Sequence, residues 1–407
     1  MSKTGYFSNT FTIINNAILK NEKLRKIKSI YYYIDSILLK LVKKPKIMTN
    51  AKKKIAISYN MSLGDGAIFM CALKNLRKIY PENEYEITLF CQKGLNKMYE
   101  KIGIFDEIIP LNFTGSTVNL KERINTFKAL RKDYYDIALD PIGIEECTMN
   151  VLMNRAICAK EKIGIINNAK KLYCPKNIKD KVYTKIININ KKNISYIEQY
   201  FEFFNQVTDK KFPIEFRELP EEQIKENLPE KYFIINPSAS TEYKKWSLER
   251  FVEIAKRMYK VLNIPLVLCG TGVDQKTNNE FKEKMGNNIE IIDMTNKTNI
   301  LQYIGLIKKA HCIITNDTGT YHVATISQVP TLILAGGYTY DKYVAYDFKG
   351  NEKFRKPYIV TEKMECFNCE NRCTYKDKIE NVWPCLEKIT VEAAWKKAQE
   401  MIRSEEL

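Results

Sequence analysis

Asn316-Asp317-Thr318-Gly319-Thr320-Tyr321-His322 sets a carboxylate, hydroxyls, a glycine and one of the chain's two histidines directly behind the apolar run Ile313-Ile314. Such a strand, running through small residues into a helix start, is suited to binding an anion. The first N–H groups of a helix lack partners of their own, and the helix dipole adds partial positive charge where they point. Thr318 can cap the turn, Gly319 permits close backbone approach, and His322 lies one helical turn further on. A diphosphate fits this arrangement, while the plainer alternative is a capped surface helix with a solvated histidine.

Two other turns end predicted strands. Gly64-Asp65-Gly66 holds a carboxylate between glycines; it is either a helix cap or a base placed to take the proton of an acceptor hydroxyl. Asn236-Pro237-Ser238-Ala239-Ser240-Thr241-Glu242-Tyr243-Lys244-Lys245-Trp246 offers hydroxyl donors at Ser238, Ser240 and Thr241 and point charges for phosphate oxygens at Lys244 or Lys245. Trp246 is expected to pack between layers. Gly270-Thr271-Gly272 lacks the rest of a dinucleotide fingerprint, which argues against a nicotinamide cofactor, and Asp274 is a candidate partner for a ribose hydroxyl.

The elements that must position these turns alternate strand and helix. With 407 residues and 45% hydrophobic content the chain exceeds one comfortable core, and the alternation restarts after prolines at Pro213, Pro220 and Pro229. The first set of strands is expected at Ile55–Tyr59, Glu86–Cys91, Glu107–Ile109 and Asp136–Asp140. The second runs from Tyr232–Asn236 through Pro265–Cys269, Glu290–Asp293 and the strand into Asn316, to Thr331–Leu334. Between them lie helices such as Ala67–Tyr80, Ile194–Val207, Leu248–Leu262, Gln275–Met285 and Ile300–Lys309. The predicted fold class is α/β, two Rossmann-like domains facing across a cleft, at 51–215 and 216–407, with the cleft as the default binding site.

Residues 1–50 differ. Phe11, Ile13, Ile14, Ile18 and Leu19, then Ile30, Tyr31, Ile34, Ile37, Leu38 and Leu41, recur at helical spacing among many lysines. This reads as a basic amphipathic helical extension, with residues 9–44 meeting an inner-membrane surface or packing on the enzyme body. The net charge of +17 suits an anionic partner, but the lysines are scattered and no nucleic-acid-binding pattern occurs, so a nucleic-acid partner is not expected. Seven cysteines lie singly inside predicted elements (Cys71, Cys91, Cys147, Cys158, Cys174, Cys269 and Cys312), as reduced thiols do, and no apolar run reaches the ~20 residues of a membrane span. The expected location is cytoplasmic and peripheral.

The Leu63-Gly64-Asp65 turn, the Lys244-Lys245-Trp246 run after an Asn-Pro-small-Ala loop, and Asn316-Asp317-Thr318-Gly319 with His322 together resemble glycosyltransferase family 9, the heptosyltransferases of lipopolysaccharide core assembly. The resemblance covers roughly residues 54–390. It implies a GT-B fold, an inverting and metal-independent reaction without a cofactor, and a nucleotide-sugar donor, usually ADP-heptose. It implies Asp65 as catalytic base, Lys244 as a phosphate-contacting lysine, Asp317, Thr318, Gly319 and His322 as the donor diphosphate loop, and Asp274 as a carboxylate toward the donor's ribose; Ser238, Thr241 and Lys245 join the donor-binding candidates on their own chemistry. The acceptor it implies is an anionic glycolipid or oligosaccharide. The sequence departs from the family pattern at Gly66, at Ser238 and at Asn296. A catalytically inactive sugar-nucleotide-binding protein is the alternative, with a nucleic-acid-binding protein behind it.

Cys366, Cys369 and Cys373, with Cys385 further on, bunch in a polar stretch whose spacing admits a four-sulfur zinc site. Similar cysteines recur in family members without a metal role. A structural loop, reduced or disulfide-linked, is therefore favoured over zinc.

Overall fold

The computed structural model describes residues 33–47, 51–143, 148–167, 182–189, 194–346, 354–370, 373–375 and 382–407. The chain divides into two compact units, one of Met1–Met61, Asn75–Lys192 and Gln199–Pro213, the other of Ser62–Lys74, Asn193–Glu198 and Ile214–Leu407.

The first unit is a six-stranded parallel sheet. Its strands are β1 (Lys53–Tyr59), β2 (Tyr85–Gln92), β3 (Glu107–Leu111), β4 (Tyr134–Asp140), β5 (Cys158–Asn167) and β6 (Lys185–Ile189), in the order β3-β2-β1-β4-β5-β6. β1 pairs in register with β2 through Ile55 and Ile87 and with β4 through Ile57 and Leu139, so the near-continuous apolar centres of these strands stack. At the carboxyl end of the sheet Asp140 is buried but fully engaged. It accepts from the amides of Ile142 (3.2 Å) and Gly143 (3.3 Å), and from the Asn150 amide and the Tyr183 hydroxyl.

Part of the amino-terminal extension belongs to this unit. Residues 33–41 form a helix. Leu38, Leu39 and Val42 join a core cluster with Phe90, Phe127 and Tyr135, and Asp35 forms a buried ion pair with Arg123. One face of the described part thus packs on the enzyme body; the expectations for residues 1–32 lie outside the described residues.

The second unit repeats the architecture. β7 (Phe233–Asn236), β8 (Leu266–Leu268), β9 (Ile291–Asp293), β10 (Cys312–Asn316), β11 (Thr331–Leu334) and β12 (Tyr358–Val360) are all parallel, in the order β12-β11-β10-β7-β8-β9. Each sheet has the doubly wound order, and the strand order reverses between β1 and β4 and between β7 and β10. The helix Leu248–Leu262 illustrates why these segments fold as they do. Ser247 caps its start, Phe251, Ile254, Ala255 and Met258 recur at i, i+3, i+4 and i+7 to bury one face, and Asn263 ends it in the left-handed conformation (φ 49°). Trp246 is buried in the same core and donates from its indole to the Ile389 carbonyl (2.9 Å), as its packing expectation required.

Several elements differ from the sequence expectations. The single helix expected over Ala67–Tyr80 is the helix Leu63–Ala72, a 3-10 turn Leu73–Asn75 and a short helix Leu76–Ile79. Asn75, a poor helix-interior residue, stands at the break. Leu63–Ala72 follows β1 in sequence, yet it belongs to the second unit, where it packs beside the helix Gly319–Ile326. That accounts for its being apolar and buried on all sides from Gly66 onward. Strands β5, β6 and β12 and the helix Thr148–Ala156 had no sequence counterpart. Among the described residues no helix is long and apolar enough to cross a membrane.

Candidate active site

The site is built where β7 and β10 diverge in the second unit. Asn316, the last residue of β10, spends its side chain on the scaffold: Nδ2 donates to the carbonyls of Pro237 (2.8 Å) and Ser238 (3.3 Å), and Oδ1 accepts from Trp246 N (3.0 Å). Asn236, at the end of β7, donates to Thr320 Oγ1. These two amides bind the loop after β7 to the helix start after β10.

Asp317 is 2% exposed at its side chain, and its carboxylate is fully occupied. Oδ2 accepts from Lys244 Nζ (2.9 Å) and from the Tyr338 hydroxyl (3.1 Å), while Oδ1 lies 3.8 Å from His322 Nε2. Burial alone would raise the pKa of Asp317, but the Lys244 charge and the hydrogen bonds from Lys244 and Tyr338 outweigh it and hold the carboxyl below its ordinary value. Burial likewise pulls Lys244 down, and Asp317 more than restores it, leaving a firmly charged ammonium. Asp317 therefore anchors the lysine.

His322 is buried, and burial drives its pKa down to about 4, so the ring is neutral at physiological pH. Its Nδ1 lies 2.7 Å from the Tyr346 hydroxyl. The anionic carboxylate on the Nε2 side favours a proton there, so Nδ1 accepts from Tyr346, whose own pKa is pushed far up by burial.

Asp65 sits in the first turn of the helix Leu63–Ala72, within the same unit. Ser62 Oγ donates to its Oδ2 at 2.5 Å. Burial raises its pKa, opposed by that hydrogen bond and by the Lys244 charge, and the nearby Asp317 adds to the rise. A carboxylate so perturbed and still in partial contact with solvent is a stronger base than an ordinary aspartate.

Beside these residues opens a pocket of about 510 Å³, lined among others by Ser62, Gly64, Ser238, Gly270, Asp274, Asn299, Thr318 and Gly319. That volume falls within the range of small-molecule and cofactor sites. Thr318 occupies the N-cap position of the helix Gly319–Ile326 but makes no capping bond; its hydroxyl instead pairs with Thr315 Oγ1 (3.1 Å). The first N–H groups of that helix are thus left for a ligand. Ser238 Oγ is buried with no hydrogen-bond partner at the pocket wall, and Thr241 Oγ1 is likewise unpartnered.

Two further donor-binding candidates have local partners. Asp274 lines the pocket, but its Oδ2 accepts from Thr271 N (2.7 Å) and Oγ1 (3.0 Å) as a capping box, so that oxygen holds the glycine turn. Lys245 pairs with Glu242 (2.7 Å). Asn296 occupies a left-handed turn (φ 59°), a conformation that asparagine tolerates where glycine is usual. Sequence reasoning placed Asn236 and Asn316 in its motifs without assigning them a role, and it missed Ser62, Tyr338 and Tyr346. Gly336-Gly337 directly after β11 was the available signal for Tyr338.

Cys366, Cys369, Cys373 and Cys385 come together around a pocket of about 10 Å³ with Phe367 and Trp383. Cys366 and Cys385 are free thiols. Burial raises the Cys385 thiol pKa, which makes it a poor nucleophile. Among the described residues no group of His, Cys, Asp or Glu is arranged to hold a metal ion. Cys147 and Cys174 lie outside the described residues.

A profile of glycosyltransferase family 9 (heptosyltransferase) matches residues 123–351. The lipopolysaccharide core heptosyltransferase OpsX of Haemophilus influenzae is 22% identical over 298 residues, covering 70% of this chain and 80% of that protein. The crystal structure of a family 9 glycosyltransferase from Veillonella parvula superposes with a TM-score of 0.67 at 20% identity, over 88% of this chain and 100% of that one. E. coli ADP-heptose lipopolysaccharide heptosyltransferase II gives 0.60 at 16% identity, over 87% and 100% of the two chains. E. coli heptosyltransferase WaaC with ADP gives 0.60 at 15%, over 86% and 99%. The fold is therefore the GT-B class that the sequence resemblance implied. With more than half its length matched by the family profile, the chain belongs to glycosyltransferase family 9 and is a glycosyltransferase.

Proposed function

We propose that this enzyme transfers a sugar, heptose in the first instance, from an ADP-linked donor to a lipopolysaccharide-core or related glycolipid acceptor, with inversion and without a metal. The single observation that carries this reading is the meeting, in one unit, of Asp65 with Lys244, Asp317 and His322 beside a pocket whose wall includes an uncapped helix start. Residues 216–407 would hold the donor and residues 51–215 the acceptor. The cytoplasm, where nucleotide sugars are made, is the proposed compartment.

Asp65 takes the proton of the acceptor hydroxyl as that oxygen attacks the anomeric carbon. The new carbon–oxygen bond forms on the face opposite the diphosphate, whose own bond to that carbon breaks, so configuration inverts. Charge building on the departing diphosphate is met by the N–H groups at Gly319 and Thr320, by the neutral His322 Nε2–H and by Lys244. Asp317 and Tyr346 act through Lys244 and His322 respectively, as positioning residues. Ser238 and Thr241 supply hydroxyls that lack partners in the absence of donor.

A thermal-shift comparison of ADP-, UDP-, GDP- and CMP-sugars tests the donor assignment, since a ligand that binds only the native state raises its apparent stability. ADP-heptose should give the largest shift. A larger shift with another nucleotide would reassign the base, and no shift with any of them would remove the donor reading.

A further inference from the structure

The helix at residues 33–41 has two apolar faces. One is docked in the first unit through Leu38, Leu39 and Val42. Its rotation is set by polar contacts: Asp35 receives both Nε and Nη2 of Arg123, and Arg131 donates to the carbonyls of Leu39 and Val42. A buried carboxylate held in this two-pronged way leaves the helix little freedom to roll.

The other face carries Tyr33, Ile34, Ile37 and Leu41, which are 53%, 40%, 64% and 73% exposed, and Ile47 just beyond is 75% exposed. At about 100° per residue, these four helical positions share one side, opposite Asp35, Leu38, Leu39 and Val42. Lys40, Lys43, Lys44 and Lys46 are exposed alongside them. An ordinary surface helix turns polar residues outward, whereas this one is fixed with a contiguous apolar stripe facing out.

We infer that this outward stripe is a docking surface for an anionic phospholipid bilayer, with Tyr33, Ile34, Ile37 and Leu41 entering the headgroup–acyl boundary and the lysines meeting phosphates. The charge argues for a bilayer over a second copy of the chain. A two-fold self-contact through this stripe would bring the lysine rows of both copies together, whereas anionic headgroups neutralise them. The long lysine stems can lie along the apolar boundary with their ammonium groups in the headgroup layer. The inference rests on the glycolipid acceptor proposed above, because such an acceptor sits in a membrane and the enzyme must be held at its surface.

The test is co-sedimentation of the full chain with vesicles of phosphatidylglycerol and phosphatidylethanolamine, and with phosphatidylcholine vesicles as the neutral control. The wild type should bind the anionic vesicles at least tenfold more tightly, and added salt should weaken that binding. Ile37→Glu combined with Leu41→Glu, both exposed, should lower the binding at least tenfold, and Lys40→Glu with Lys43→Glu should also remove most of its salt dependence. The inference is overturned if the wild type ignores anionic vesicles, if the Glu variants bind as well as the wild type, or if the apolar substitutions convert a vesicle-indifferent dimer to a monomer. The donor-induced thermal shift of all these variants should equal that of the wild type. That readout separates failure of membrane docking from failure of the transferase reading.

Discussion

A Cβ built on Gly64 would lie 2.5 Å from Cδ2 of His322 and 3.2 Å from the Gly319 backbone. The turn that carries Asp65 is therefore pressed directly against the helix start that is proposed to take the diphosphate. Only glycine permits that approach, and its requirement is steric, since its φ is unexceptional.

Gly64→Ala should accordingly displace His322 or the Asp65 turn. Overpacking of this kind costs about 1–3 kcal/mol. We expect kcat to fall at least tenfold and the melting temperature to drop, while Gly94→Ala, which meets nothing within 4 Å but has φ 101°, should affect stability alone. Steady-state kinetics and thermal melts on the two variants check this.

The Lys244–Asp317 pair predicts a non-additive result. Lys244→Met leaves the Asp317 carboxylate buried without its cation and should destabilise the protein by roughly 2 kcal/mol, below the usual cost of breaking a fully buried pair because Lys244 remains 24% exposed. Asp317→Asn in the same chain should restore most of that stability. It should not restore donor affinity, because the charge proposed to meet the diphosphate stays absent. A double-mutant cycle read by denaturation and by donor titration distinguishes the two effects.

The two aspartates should respond to pH in opposite directions. The folded-state pKa of Asp317 is depressed, so its contribution is present at neutral pH and lost as pH falls below the ordinary 3.8. The pKa of Asp65 is raised by burial, so its native environment favours the protonated form, and stability is lost as pH rises through its folded value. Asp65→Asn should therefore be more stable than the wild type at pH 7, with the difference closing below about pH 4. Denaturation of both proteins between pH 3 and pH 8 measures this.

His322, with its pKa driven down to about 4, should contribute no inflection near pH 6.5 to kcat/KM. Tyr346→Phe removes the partner of Nδ1 and should lower kcat about tenfold through ring misorientation. His322→Gln, which keeps a neutral N–H donor, should retain more activity than His322→Ala. Equal losses in the two variants would remove the proposed donor role.

The strand-end turns were legible because each is a local event in the sequence. Apolar residues run into small ones at Ile57–Gly66, Ile235–Ser240 and Ile314–Gly319, and parallel sheets leave such turns at one edge. Helix Leu248–Leu262 was equally plain, since its cap, its stripe and its left-handed terminus all lie within one segment. Tyr338 and Tyr346 were not visible among 25 tyrosines, because their importance lies in reaching Asp317 and His322 from elsewhere in the chain. Strand β5 was obscured by Lys160, Glu161 and Lys162, which break its apolar pattern. Residues 67–72 were read as helical, whereas Leu63–Gly66, read as a tight turn, forms the first turn of that helix, and its membership of the second unit depends on non-local packing that no periodicity encodes.

The most direct measurement is turnover by Asp65→Asn alongside donor binding by the same protein. Removing a general base that is already engaged by Ser62 and raised by burial should cut kcat about 10²–10⁴-fold, with the donor dissociation constant within threefold of wild type. Wild-type turnover in the Asn variant would contradict the central claim that Asp65 receives the acceptor's proton.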